Sequence, residues 1–307
     1  MENRLHISVS PHIHGKKTTQ GIMLDVIIAL LPAAIAGVVI FGLRALLVIG
    51  VCLAASILSE VLFNVITKRK QTISDLSCIV TGLILAMNLP ANVPLWQAVI
   101  GSVFAIIVVK CLFGGLGKNV VNPALTARVF MLVAFGSLAQ PAFPVDATAG
   151  ATPLVSIAEG SVPALKDLFL GTTGGAIGET CALALLIGGA YLLIRKVITW
   201  QIPVAFIGTV FLFSLFVKDF DMLTALSCIL SGGLILGAFF MATDYVTSPE
   251  TPWGKIVYGV GAGLITALIR FWGVYPEGVS FAILLMNILN PYINSLTARR
   301  LFGGGKK

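Results

Sequence analysis

Charge is scarce in this chain. Only 11% of its 307 residues are Asp, Glu, Lys or Arg, against about 25% in a soluble domain. Hydrophobic residues make up 57%, and mean hydropathy is +1.00. That composition excludes a water-soluble globular fold and indicates an integral membrane protein. Histidine is nearly missing: His6, His12 and His14 all lie in the N-terminal tail, so no core helix offers a haem-ligand pair. The five cysteines, Cys52, Cys78, Cys111, Cys181 and Cys228, stand singly in apolar runs without a CxxC pair. A disulfide framework or a zinc site is therefore not expected. No Walker loop, HExxH helix or GxSxG elbow occurs, so ATP-driven transport and hydrolysis lack their residues. The net charge of +7 does not call for nucleic acid, because basic residues in membrane proteins gather in cytoplasmic loops.

What is present is a succession of apolar runs. Ten spans are expected near residues 21–41, 45–66, 76–89, 95–116, 124–138, 176–194, 203–217, 223–241, 256–274 and 279–296. The third and fifth are short and read as tilted, broken or re-entrant. An even number of spans puts both termini on one side. Fourteen of the 20 basic residues fall on that side, three (Arg44, Lys166, Lys218) on the other, and Lys110, Arg128 and Arg270 within spans or at their ends. The bias places both termini in the cytoplasm and the loop 140–175 outside. The expected organisation is a cytoplasmic tail (1–20), a first membrane repeat (21–139), an outer loop (140–175), a second repeat (176–297) and a basic cytoplasmic tail (298–307).

The halves carry an echo of each other. Leu76-Ser77-Cys78-Ile79 recurs 150 residues on as Leu226-Ser227-Cys228-Ile229, in the third and eighth spans. A shift of five spans reverses direction, so the fold expected is all-α, with two inverted five-helix repeats and broken or re-entrant segments. Transporters of that design place their sites between the halves, where irregular backbone can face a ligand. Three breaker-rich stretches suit such a place: residues 114–123, residues 242–252, and the polar interruption Asn287-Ile288-Leu289-Asn290-Pro291-Tyr292. Ionisable groups in or near spans are Asp25, Glu60, Lys110, Arg128, Glu179, Asp244 and Arg270. Lys110 and Arg128 lie deepest and are the candidates for an ion path. Asp25 and Glu60 lie near span ends, where snorkelling to the interface is the simpler expectation.

The longest polar interruption contains Gly150-Ala151-Thr152-Pro153-Leu154. Gly150 and Ala151 leave room beside the Thr152 hydroxyl, and Pro153 fixes the backbone after it. A hydroxyl so placed suits attachment of something bulky, although a plain connecting loop has the same composition.

Four motifs in order, SPHIH at 10–14, FGGLGKNVVNPA at 113–124, GATPL at 150–154 and TDYVTSPETPWGK at 243–255, make the chain resemble the D subunits of Rnf complexes. These are counterparts of the B subunits of sodium-pumping NADH:quinone reductases. The resemblance runs from about residue 6 to residue 301. It implies a membrane flavoprotein subunit of a bacterial cytoplasmic-membrane complex that passes electrons between ferredoxin and NAD and moves Na⁺ or H⁺. It implies FMN bound covalently through its phosphate to Thr152, beside Gly150 and Ala151, with Ala149 standing where related motifs carry Ser or Thr. It also implies a noncovalent flavin such as riboflavin, loosely assigned to Lys118, Asn119, Asn122, Asp244 and Thr247. The expected partners are the A, B, C, E and G subunits of Rnf, a flavin transferase for maturation, and membrane lipid. The reading that competes from the residues is a stand-alone inverted-repeat transporter or channel without flavin.

Overall fold

The computed structural model describes residues 18–136, 142–144, 152–273 and 278–298. These residues are helical, with no strand among them beyond an isolated antiparallel bridge between Ala142 and Gly175. The helices are α1 (Thr19–Phe41), α2 (Leu43–Ile66), α3 (Ser77–Met87), α4 (Leu95–Cys111), α5 (Pro123–Ala134), two short ones, α6 (Pro153–Ala158) and α7 (Leu165–Leu170), then α8 (Ala182–Ile194), α9 (Gln201–Val217), α10 (Met222–Leu230), α11 (Leu234–Met241), α12 (Pro252–Trp272) and α13 (Val279–Thr297). α1, α2, α12 and α13 are long and apolar enough to cross a bilayer by themselves. α3, α4, α5, α8 and α9 are shorter, and α10 and α11 form one span bent by 62°. Among the described residues, the ten apolar elements expected from hydropathy are therefore all present. Large apolar side chains cover the outside, for example Val39, Ile194 and Leu296, which are 77%, 80% and 86% exposed. Water would not tolerate such a coat, whereas lipid does.

The third span is short, as expected, and expectation and structure differ in two others. The third span is an 11-residue helix, about 16 Å long at helical rise. That is half of a ~30 Å hydrocarbon core. The eighth span, read as continuous, breaks at Ser231, Gly232 and Gly233, because both glycines take positive φ, each 67°. The sixth begins at Ala182 rather than at residue 176, because the preceding backbone is bonded elsewhere. Ile177 N–H donates to Leu89 O (3.0 Å) and Gly178 N–H to Met87 O (2.8 Å), which pins this stretch to the end of α3.

Packing repeats between the halves. In the first, α2 packs on α3 and α4, α4 on α5, and α3 on α1 and α5. In the second, α9 packs on α10 and α12, α12 on α13, and the α10–α11 pair on α8 and α13. The first elements of the halves, α1 and α8, pack on one another, and so do the last, α5 and α13. The shared tetrapeptide does not keep its local position: it opens α3 but falls in the last turns of α10. Tight seams use small residues, which let helix backbones approach. A Cβ on Gly188 of α8 would stand 2.0 Å from Ala29 O of α1, and one on Gly263 of α12 would stand 2.9 Å from Phe206 O of α9.

Candidate functional site

Thr152 is the N-cap of α6, with Pro153 at the first helical position. Its Oγ1 accepts the Val155 N–H at 3.4 Å, the usual duty of a threonine at a helix start. α6 rests on α10. Leu154 lies against Gly232 in the break of the eighth span, and Arg270 lies against the same glycine. Arg270 donates to the carbonyls of Cys228 (2.6 Å), Ser231 (3.0 Å) and Gly232 (3.0 Å). These acceptors are the ones a terminating helix leaves without intrahelical partners. Lys218 donates to Ile157 O at 3.5 Å, at the far end of α6. The helix that Thr152 starts is thus seated on the break in the eighth span, with Arg270 against the same glycine as Leu154 and Lys218 bonded at the helix's far end. Gly150 and Ala151 lie outside the described residues.

A cavity lies elsewhere, between α1, α3, the loop 112–122, the ends of α8 and α11, and the loop 242–246. It gathers motifs that are more than a hundred residues apart in sequence. Asn119, Asn122 and Asp244 line it, together with Thr81, Phe239 and Phe240. Of the other two residues assigned here, Thr247 lies behind the wall and Lys118 outside it. Thr247 is buried and donates to Asp244 at 3.1 Å, and the Lys118 side chain runs alongside Gly114. Asn122 caps α5, accepting from Ala124 N–H (3.1 Å) and Leu125 N–H (3.3 Å), while its amide nitrogen is 3.5 Å from Met241 O. Burial pushes the Asp244 carboxyl above its ordinary pKa, opposed in part by the Thr247 hydroxyl.

Asn287, from the polar interruption in α13, joins the two loops. With its amide oriented so that both ends are satisfied, its oxygen accepts Asn122 N–H at 3.1 Å. Its nitrogen donates to Thr247 O (3.3 Å), to Ile283 O (3.2 Å) and to the Tyr258 hydroxyl (2.6 Å). The sequence marks this stretch as polar but does not say that it bridges residues 122 and 247.

Lys110 lines the same cavity from the last turns of α4, where residues 104–111 wind as a π-helix. It is 3% exposed and donates to Glu60 Oε2 at 2.7 Å and to Ser77 Oγ at 2.6 Å. Glu60 is 1% exposed, which overturns the expectation that it snorkels. The cause is the partner on α4, together with the Thr72 hydroxyl, which donates to its other oxygen. A lone buried carboxylate is costly, while a paired and hydrogen-bonded one is tolerated. Asp25 is likewise engaged, accepting from the Tyr191 hydroxyl (2.9 Å) and lying 3.2 Å from Arg195. The second candidate for an ion path, Arg128, is not at this cavity. It donates to Ser280 Oγ at 2.9 Å, across the seam between α5 and α13.

Comparison with known proteins bears on the chain as a whole. The sequence model of the NQR2, RnfD, RnfE family matches residues 6–303. The chain is 48% identical to the D subunit of the Na⁺-translocating ferredoxin:NAD⁺ oxidoreductase complex of Acetobacterium woodii, covering 98% of this chain and 96% of that one. It is 40% identical to the D subunit of the proton-translocating ferredoxin:NAD⁺ oxidoreductase complex of Clostridium ljungdahlii, over 98% and 97% of the two chains. It is 37% identical to the D subunit of the ion-translocating oxidoreductase complex of Actinobacillus succinogenes, over 97% and 98%. With a match along nearly its whole length and helices laid out as a multi-pass membrane protein, the chain belongs to the NQR2, RnfD, RnfE family.

Proposed function

We propose that this protein is the D-type membrane subunit of an ion-translocating ferredoxin:NAD⁺ oxidoreductase, and that it carries FMN esterified through its phosphate to Thr152. The observation that carries the reading is the full-length similarity to subunits of that name, joined to the setting of Thr152 as the N-cap of α6, a helix that touches Lys218 at its far end and shares a seat on Gly232 with Arg270. A phosphodiester keeps one negative charge, and a helix start held between elements that carry cations suits it. FMN, once bound, supplies the one- and two-electron chemistry. The chain's own contribution is a rigid tether point and a positive setting. The Lys218 and Arg270 side chains both end on backbone carbonyls around α6 and the break, which fixes α6 in that setting.

The lining residues of the cavity, though not its closed volume of about 90 Å³, suit a flavin, which would need the two loops to part. Phe239 and Phe240 offer flat apolar contact, and Asn119, Asn122, Thr81 and Asp244 offer donors and acceptors at the rim. Asn122 and Asp244 would orient a noncovalent flavin, with Thr247 and Asn287 holding them in place. Lys110, in its pair with Glu60, would set the local charge and is the residue best placed to respond to a change of charge in the cavity. Ion movement is proposed to couple there, in concert with the other subunits of the complex. Two relatives bear names that differ in the ion, Na⁺ at 48% identity and protons at 40%, so the ion is decided by finer features than the family. The termini are proposed to be cytoplasmic and α6 to lie on the opposite face.

The decisive experiment expresses Thr152→Val beside the wild type in a host that makes the flavin transferase. Valine keeps the shape and removes the nucleophilic oxygen. In-gel flavin fluorescence and the added mass on the tryptic peptide should vanish, with the protein still in the membrane. Fluorescence that persists on the variant moves the attachment elsewhere. An unmodified wild type would favour a stand-alone transporter. A cysteine at the exposed Ser161 should react with an impermeant thiol reagent in intact cells if α6 faces outward.

A further inference from the structure

A second cavity lies on the lipid-facing surface, on the other side of Phe239 from the cavity described above. It is a groove of about 420 Å³ bounded by the end of α8, the outer side of α9 and the broken α10–α11 pair. Its wall is hydrocarbon, from Leu193, Val204, Phe211, Leu226, Ile229 and Phe239 among others. Two features open it. Gly208, midway along α9, has nothing within 4 Å of where a Cβ would stand, and the break swings α11 away from α10 by 62°.

The groove follows α9 from Trp200 to Phe211, about 16 Å at helical rise. That is half of a ~30 Å hydrocarbon core, the depth of one leaflet. A partner's membrane helix would need a groove of full depth, whereas a single acyl chain needs one of this length. The Trp200 end is ringed by cations. Arg195 and Lys196 lie in the turn between α8 and α9, and Lys255, in the first turn of α12, donates to Thr199 Oγ1 at 3.2 Å. The acid facing this cluster is Asp25, paired with Arg195 at 3.2 Å. Trp200 and Trp253, 59% and 72% exposed, mark the level of the membrane–water interface, where tryptophan concentrates. We propose that this groove is a binding site for an anionic phospholipid, with one acyl chain along α9 and the phosphate among Arg195, Lys196 and Lys255. Apolar grooves capped by clustered cations at the membrane surface have the chemistry for such headgroups.

The test uses the whole complex, delipidated and reconstituted in phosphatidylcholine nanodiscs containing a small fraction of spin-labelled phosphatidylglycerol or, separately, spin-labelled phosphatidylcholine. The wild type should show a motionally restricted component several-fold larger for the anionic lipid. Gly208→Phe fills the groove and should remove that excess. The pair Lys196→Gln and Lys255→Gln should keep a restricted component but lose the preference for phosphatidylglycerol. An excess unchanged by Gly208→Phe, or a preference unchanged by the paired lysine substitutions, overturns the proposal. A second measurement guards against misfolding of the filled variant. A bimane label on Val204→Cys should be quenched several-fold more by brominated phosphatidylglycerol than by brominated phosphatidylcholine. Equal quenching by the two lipids, or cross-linking of this cysteine to a neighbouring protein of the complex in place of quenching, would mean that no anionic lipid is held there.

Discussion

The third element of the first half and its counterpart in the second meet a cation in opposite ways. α3 presents its N-terminus, and Lys110 reaches Ser77 there. The free N–H groups of a helix start repel a cation, so two carboxylates attend: Glu60 on Lys110 itself and Asp75, which accepts from Ser77 N–H at 2.8 Å. α10 presents its C-terminus, and Arg270 reaches three carbonyls, those of Cys228, Ser231 and Gly232. There the helix end itself supplies negative potential. The polarity of the helix end decides what else a cation placed there requires.

The strongest way to break this comparison is Glu60→Ala. It leaves Lys110 at a helix N-terminus without its acid and should cost about 3–5 kcal/mol, seen as a lower unfolding midpoint in detergent. Removing both charges, as Glu60→Gln with Lys110→Met, should recover most of that loss, and a double mutant as unstable as Glu60→Ala would refute the account. Arg270→Met comes next. It strands carbonyls rather than a charge and should cost about 1–3 kcal/mol, with increased protease access at α6. Gly232→Ala should follow at about 1–2 kcal/mol, because φ is 67° and the new Cβ would meet Leu154 at 2.3 Å. Unchanged stability would show that the break relaxes freely.

The smallest effect concerns the cavity loop. The folded state raises the Asp244 pKa, so the folded protein holds that proton more tightly than the unfolded chain. Stability should therefore fall as pH rises from the ordinary carboxylate pKa to the raised one, and stay level above it. Asp244→Asn should flatten that slope and leave the midpoint slightly higher at neutral pH. A slope that survives the substitution belongs to another group.

Hydropathy made the ten apolar elements legible, because lipid contact writes itself as long apolar runs. The first is expected at 21–41 and found at Thr19–Phe41. The convergence of residues 119–122 with 244–247 was also within reach, since irregular backbone inside a membrane protein must line something. The pairing of Glu60 with Lys110 was not. The two are 50 residues apart, and a carboxylate near a span end reads the same whether it snorkels outward or turns inward. The break at Gly232 and Gly233 was hidden for a different reason. Apolar residues continue on both sides, and hydropathy is blind to φ. Asn287 showed as polar, but its partners Asn122, Thr247 and Tyr258 lie on other elements, which no local pattern encodes.

The seam between α1 and α8 has a mechanical consequence. At Gly188 a side-chain-free backbone lies directly on the Ala29 carbonyl, so sliding by one helical turn would drive Leu185 or Leu192, one turn away on the same face, into the space that Gly188 leaves for it. The seam is a keyed joint: it allows separation but resists shear. At the opposite seam, Arg128 and Ser280 tie α5 to α13 by a hydrogen bond rather than by shape. A frame keyed on one side and laced on the other would open like a book, with α1 and α8 as its spine.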